Sequence, residues 1–328
     1  MDKDFYKKFE DEFRGSEEVI QSRLSPYASI VKYVAEQHQG RIALDLGCGR
    51  GEWLKFCKTY GLDVKGVDLD QGMIEEAQQQ GFDVELTDAL EFLKETESDS
   101  IGLLTSFHMV EHLSIVRVFE LIKEAHRVLA PGGVLLIETP NAESLIVGTN
   151  NFYIDPTHIK PIPNQLLNFI VQYSGFSESQ VIRMNSGATQ VNNLLEAVLS
   201  TSMDYSVVAI KSSDNDVKVE HIYDGEYGVS LTDAVHSYDL TQEKIKGDLA
   251  VLRGELNQYK NELIQLRAEL HGTVEKRMKR IIKKVLKKII FSHPKIESLA
   301  RKFLKNDIPR KDFPLSEKAN SIYERLKK

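Results

Sequence analysis

The sequence predicts an α/β protein built on an open sheet, and three observations carry that reading. Leu44-Asp45-Leu46 runs into the glycine-rich bend Gly47-Cys48-Gly49-Arg50-Gly51, and a helix-like segment with Trp53, Leu54, Phe56 and Cys57 follows. Glycines at 47, 49 and 51 let backbone approach a ligand closely, because no Cβ intervenes. Two further short apolar runs end near acids, Val64–Asp68 and Phe82–Leu86 with Thr87-Asp88-Ala89 behind it. In an open α/β sheet, ligands bind outside the carboxyl ends of the strands, where these residues fall.

Taken in order, residues 3–37 read as helices, with Phe5, Tyr6, Phe9 and Phe13 at helical spacing. Strands are predicted near 42–46, 64–68, 83–86, 101–106, 133–138, 180–184 and 205–211, seven in all. Helices are predicted at 52–60, 71–79, 88–94, 115–129 and 190–199, with Ala130-Pro131-Gly132-Gly133 turning into the fifth strand. Residues 1–211 thus form the sheet domain, and 212–237 a polar linker, with a small hairpin expected within 212–232. From there Ile245, Leu249, Leu252, Leu256, Tyr259, Leu263, Leu266 and Leu270 repeat by four and three, an a/d seam that predicts an α-helical coiled coil over 238–275. Gly247 and Gly254 weaken it, by about 1 kcal/mol each relative to Ala. Leucine at both a and d leaves dimer and trimer open. In the tail, 276–328, Met278, Ile281, Ile282, Val285, Leu286, Ile289 and Ile290 fall on one helical face and cations fill the other. A basic amphipathic helix of this kind suits an anionic membrane surface; a calmodulin-like target helix, a nucleic-acid contact or a continuation of the coil are the alternatives.

The net charge of −7 conceals a polarity: from Lys276 onward 18 Lys and Arg face 5 Asp and Glu, a balance of +13 that leaves −20 for the rest. An acidic body repels phosphate backbones and makes nucleic acid a poor partner. No apolar run is long enough to span a bilayer, and Met1-Asp2-Lys3-Asp4 does not open a signal peptide. Two cysteines, Cys48 and Cys57, fit a reducing cytoplasm better than a disulfide scaffold.

The glycine bend differs from the dinucleotide fingerprint. Asp45 stands ahead of the first glycine, which disfavours a pyrophosphate and suits an ammonium or sulfonium. Asp68 lies about twenty residues beyond, where a ribose diol is held, and Asp88 suits an adenine amino group. At these residues the chain resembles class I S-adenosylmethionine-dependent methyltransferases. The resemblance implies a Rossmann-like seven-stranded methyltransferase sheet with S-adenosyl-L-methionine as cofactor. It implies that Asp45 and Gly47, Cys48, Gly49 and Gly51 hold the methionine end, Asp68 the ribose, and Asp88 with Ala89 the adenine. Trp53, Leu69 and Phe107 complete the expected cofactor set.

After the fourth strand comes Ser106-Phe107-His108-Met109-Val110-Glu111-His112. His108-x-x-Glu111-His112 matches an inverted zinc-protease motif, but that motif needs a stable helix, and here it follows a strand at the ligand edge. In the resembling family this position lines the gap between donor and acceptor. Some O-methyltransferases of ubiquinone synthesis and small-RNA 2′-O-methyltransferases carry Glu-x-x-Glu-His here and bind a divalent metal; a later histidine completes the RNA enzymes' set. The resemblance implies a catalytic set of His108, Glu111, His112 and His158, with Glu111, His112 and His158 as metal ligands. His108 departs from the pattern by replacing a carboxylate. A metal-free site with one histidine as general base is the alternative.

The runs Phe9–Ser16, Glu138–Asn141, Val147–Thr149 and Phe152–His158 resemble bacterial methyltransferases of surface-polysaccharide synthesis, including O-antigen chain terminators. That resemblance implies methylation at the non-reducing end of a lipid-linked glycan, on the inner face of the cell membrane, by an oligomer held through its coil. A small-molecule or RNA O-methyltransferase, or a scaffold recruiting a polysaccharide polymerase, are the competing expectations.

Overall fold

A computed structural model describes residues 17–186, 191, 193–212, 217–269, 281, 284, 285 and 288. Seven strands form one sheet: β1 (Ile42–Leu46), β2 (Asp63–Asp68), β3 (Asp83–Leu86), β4 (Ile101–Phe107), β5 (Leu129–Pro140), β6 (Glu178–Met184) and β7 (Asp204–Ile210). Their order is β3-β2-β1-β4-β5-β7-β6, parallel except for β7, which runs antiparallel to both β5 and β6. The order reverses between β1 and β4, so the ligand crevice of an open sheet opens there.

Strand composition explains the layering. β4 is buried along six of its seven residues and β5 is almost continuously buried, as expected for central strands covered on both faces. Alternation along β5 sends Leu135 and Ile137 to one core and Val134 and Leu136 to the other. The first core is closed by the helix Ile115–Val128, whose Val118, Leu121, Ile122 and Ala125 follow helical spacing. The Ser114 hydroxyl caps that helix, accepting the Arg117 N–H at 3.4 Å. The second core is closed by Ala28–Gln37, through Ile30, Val31 and Val34, with Tyr27 just ahead of it.

The predicted strands all form, β5 extending further at both ends because the Ala130–Gly133 turn is drawn into it. Of the expected helices, 190–199 begins later, at Leu194, where the Asn193 side chain caps it. No hairpin forms among the described residues of 212–232; Val219–Ile222 is a short helix instead, buried through Val219 and Ile222. Asn164–Tyr173 is a helix that the sequence reading lacked. Phe5, Tyr6, Phe9 and Phe13 lie outside the described residues, as does the basic stretch from Lys276 apart from Ile281, Lys284, Val285 and Lys288.

A single helix of 39 residues, Leu231–Glu269, carries the predicted seam as far as Leu266. It starts inside the expected linker, where the Ser230 hydroxyl oxygen accepts the Asp233 N–H at 3.0 Å as a helix cap. The division between compact units falls at Lys246/Gly247, and the sheet and its crevice belong to the first. Among the described residues, no helix is long and apolar enough to cross a membrane.

Candidate active site

The site is built where β1, β2, β4 and β5 end. Gly47 has φ +75° and its N–H bonds the Val67 carbonyl at 2.8 Å; Gly51 has φ +87° and opens the helix Glu52–Thr59. Both are left-handed conformations that glycine adopts without strain. A Cβ on Gly47 would stand 2.8 Å from Met109 Cγ, and one on Gly51 2.8 Å from the Phe82 ring.

Asp68 ties this turn to the next strand. Its Oδ2 accepts the Gly49 N–H at 2.9 Å and its Oδ1 the Asp70 N–H at 2.8 Å. Each oxygen keeps a lone pair for a hydroxyl. Asp45 is buried and accepts the Thr105 hydroxyl at 2.7 Å. Asp88 caps the helix Ala89–Glu95 through the N–H groups of Leu90 and Glu91, and both its oxygens lie 2.7 Å from Arg117 Nη2. Oδ1 therefore takes three donors, and Oδ2 is the oxygen with capacity to spare. Trp53 is buried against Phe107, ring centroids 4.7 Å apart, and against Tyr27. Cys48 and Cys57 are buried and reduced; burial, with Asp45 and Asp68 beside it, pushes the Cys48 thiol far above the usual range, so it stays protonated and unreactive.

The turn, Asp68 and Asp88 border a cavity of about 940 Å³, which is also lined by His108, His112, His158, Glu138 and Thr157. Of the predicted cofactor set, Asp45, Gly47, Cys48, Gly49, Trp53, Asp68, Leu69, Asp88, Ala89 and Phe107 are on its wall; Gly51 is not, and packs instead against Phe82.

The predicted catalytic residues divide into two groups. A ligand atom from each of Glu111, His112 and His158 lies within 4.8 Å of the others, which is metal-binding geometry. His108 forms a second cluster of the same kind with Glu138 and Asp204. Its backbone is left-handed (φ +51°), which turns the ring so that Nε2 lies 3.3 Å from Glu138 Oε1 and 4.0 Å from Asp204 Oδ1. Its Nδ1 is 3.4 Å from Glu111 Oε1. Burial opposes a charged ring here, but the carboxylates of Glu111, Glu138 and Asp204 outweigh it and raise the His108 pKa well above the ordinary value. Burial pushes the Glu111 carboxyl up, yet the His108 proton prevails and lowers it.

Glu111 is fully buried in the short 3-10 turn Val110–His112, not in the helix that a protease motif needs. Its Oε2 accepts the Thr139 hydroxyl at 2.9 Å, and its Oε1 faces His108 Nδ1 at 3.4 Å in an ion pair. His158 Nδ1 lies 2.6 Å from the Phe152 carbonyl, which can only accept. The proton therefore sits on Nδ1, and the lone pair on Nε2, 4.0 Å from Glu111 Oε1. A buried carboxylate oxygen beside an imidazole lone pair fits a cation.

Sequence reasoning missed Glu138 and Tyr27, whose hydroxyl bonds Glu138 and Ser206 in the buried floor beneath His108. It also missed Arg117 and the Asp155–Thr157 pair. Only the last had a local signal, the Asp-x-Thr pattern of a side-chain turn.

A methyltransferase-domain family model matches residues 20–180. A solved S-adenosylmethionine-dependent methyltransferase from Archaeoglobus fulgidus is 32% identical and superposes with a TM-score of 0.55, over 63% of this chain and 100% of that one. The chain belongs to the S-adenosylmethionine-dependent methyltransferases. Among curated relatives of this methyltransferase, a probable S-adenosylmethionine-dependent enzyme of Mycolicibacterium smegmatis is 24% identical over 159 residues, 48% of this chain and 61% of that protein. A tRNA (carboxymethyluridine(34)-5-O)-methyltransferase of Mus musculus is 31% identical over 117 residues, 35% of this chain and 17% of that protein. The methyltransferase thus spans less than two thirds of either relative's length.

Membership agrees with the donor side of the cavity. The residues fit S-adenosylmethionine: a bare glycine turn, the anchored carboxylate of Asp68 for a diol, and Asp45 and Asp88 to complement positive charge and an amino group. When bound, that cofactor supplies a methyl group on a positively charged sulfur.

Proposed function

We propose that this enzyme methylates a hydroxyl group at the non-reducing end of a lipid-linked surface polysaccharide. The observation that carries O-methylation is the cluster of His112 and His158, both on the wall of the cavity that holds the donor turn, with Glu111 buried behind them. An alcohol keeps its proton at neutral pH, so a methyl acceptor of this kind needs that proton masked or removed. The imidazole nitrogens of His112 and His158, backed by the Glu111 carboxylate, serve that purpose. A divalent cation held by Glu111, His112 and His158 would lower the acceptor hydroxyl's pKa. His108 sits among the side chains of Glu111, Glu138 and Asp204 on this side of the site.

The glycan reading is supported by the runs around the site that resemble polysaccharide methyltransferases, Glu138–Asn141 and Phe152–His158. It is supported as well by the helix Leu231–Glu269, about 58 Å long at 1.5 Å per residue. Leu249, Leu256, Tyr259 and Leu266 are exposed along it, as a seam awaiting identical helices would be. The basic composition of the tail, suited to an anionic membrane, supports a lipid-linked acceptor as well. Mass spectrometry of the surface glycan from cells with and without the protein tests this. A terminal O-methyl group and a bounded chain length, both lost with the protein, support it; identical glycans contradict it. A second acceptor class, tRNA, draws on the name of the murine relative, while the −20 balance of residues 1–275 opposes it.

A further inference from the structure

The loop Asp155–His158 does more than deliver one histidine. Asp155 Oδ1 accepts the Thr157 N–H at 2.7 Å and the Thr157 hydroxyl at 2.6 Å. A carboxylate only accepts, so the single hydroxyl hydrogen of Thr157 is committed to Asp155. The same Thr157 oxygen lies 2.9 Å from His112 Nδ1. With its hydrogen already placed, that oxygen receives a hydrogen bond, and Nδ1 of His112 is the donor. The loop is tied to the turn it serves by the Ile159 N–H, which bonds the Glu111 carbonyl at 2.9 Å.

We propose that Asp155 and Thr157 are positioning residues that lock His112 in the tautomer with its proton on Nδ1, leaving Nε2 as its one lone pair. His158 is locked the same way by the Phe152 carbonyl, so both histidines offer Nε2. A carboxylate–hydroxyl–imidazole chain is the outer support that metal-bound histidines require, and it raises the basicity of the free nitrogen. For cation binding this role rests on the metal reading above; the tautomer itself does not.

Two measurements on the full chain separate these claims. Long-range proton–nitrogen correlation spectra of histidine-labelled protein, without metal, report the His112 tautomer, with His112→Gln used for assignment. Calorimetric titration with Mn²⁺ alone reports affinity. The wild type is expected in the Nδ1–H form. Thr157→Val, which keeps the shape but removes the hydroxyl, is expected to give mixed tautomers and to weaken Mn²⁺ by about 10- to 100-fold. Thr157→Ser should restore both. Asp155→Ala provides an independent test, since it frees the hydroxyl to donate to the ring. An Nε2–H tautomer in the wild type overturns the proposal, as does an unchanged tautomer in both Thr157→Val and Asp155→Ala. A wild type that binds no Mn²⁺ but loses its locked tautomer in Thr157→Val supports the relay and overturns the metal reading instead.

Discussion

Removing the Asp68 carboxylate is the sharpest perturbation of the donor site. Asp68→Ala deletes two charge-assisted hydrogen bonds, to the N–H groups of Gly49 and Asp70, and with them the clamp between the β1 turn and the end of β2. It also deletes the acceptor pair that a ribose diol would use. Hydrogen bonds to a charged group contribute about 1.5–3 kcal/mol, and neutral ones nearer 1. The turn borders a cavity, so water replaces part of the loss in the free protein. The net loss in cofactor binding should be about 1–3 kcal/mol, or roughly 5- to 150-fold in Kd. Asp68→Asn keeps one acceptor oxygen but turns an amide NH₂ toward a backbone N–H, so it should lose about half as much free energy. Titration calorimetry with S-adenosylhomocysteine measures both variants, and scanning calorimetry shows whether each is folded at the titration temperature. Folded Asp68→Ala that binds within twofold of wild type would refute this account of the donor site.

The other expectations are independent of one another. Gly47→Ala demands a left-handed alanine, about 1–2 kcal/mol, and a Cβ 2.8 Å from Met109 Cγ. It should lower both Tm and cofactor affinity, with Gly47→Ala/Met109→Ala recovering part of each. Arg183 lies 2.7 Å from Glu143 and holds its carboxyl below the usual range. A depressed folded pKa stabilises above the unfolded value and is lost as pH falls through the folded one. Glu143→Gln should therefore cost about 1 kcal/mol at pH 7 in urea melts, with the gap closing below about pH 4. Leu256→Glu places a charge in the exposed seam and should reduce the sedimentation mass to that of a monomer without changing donor affinity.

Much of this site was legible in the sequence because its signals are local. The strand–Gly47–Gly49–helix run and the acids at 68 and 88 sit within short segments whose apolar patterns fix the strand ends. Glu111 and His112 are neighbours, and resemblance alone linked them to distant His158. What escaped depends on residues brought together by the sheet. The meeting of His108 with two further carboxylates besides Glu111 needs a left-handed backbone at one position, Glu138 from β5 and Asp204 from β7. No spacing in the chain encodes that meeting. The Arg117 contact with Asp88 likewise joins two helix N-termini that only packing makes adjacent. The helix Asn164–Tyr173 is a different case. Leu167, Ile170 and Val171 have helical spacing after Pro163, so the signal was present.

The central claim is that the Glu111 side of the cavity prepares a glycan hydroxyl for methylation. Purified protein, incubated with methyl-labelled S-adenosylmethionine and offered lipid-linked glycan and tRNA together, tests it most directly. The account predicts label on a terminal sugar oxygen, located by tandem mass spectrometry, and its loss in Glu111→Gln with S-adenosylhomocysteine affinity intact. Label on tRNA or on a nitrogen, or undiminished transfer by Glu111→Gln, would contradict it.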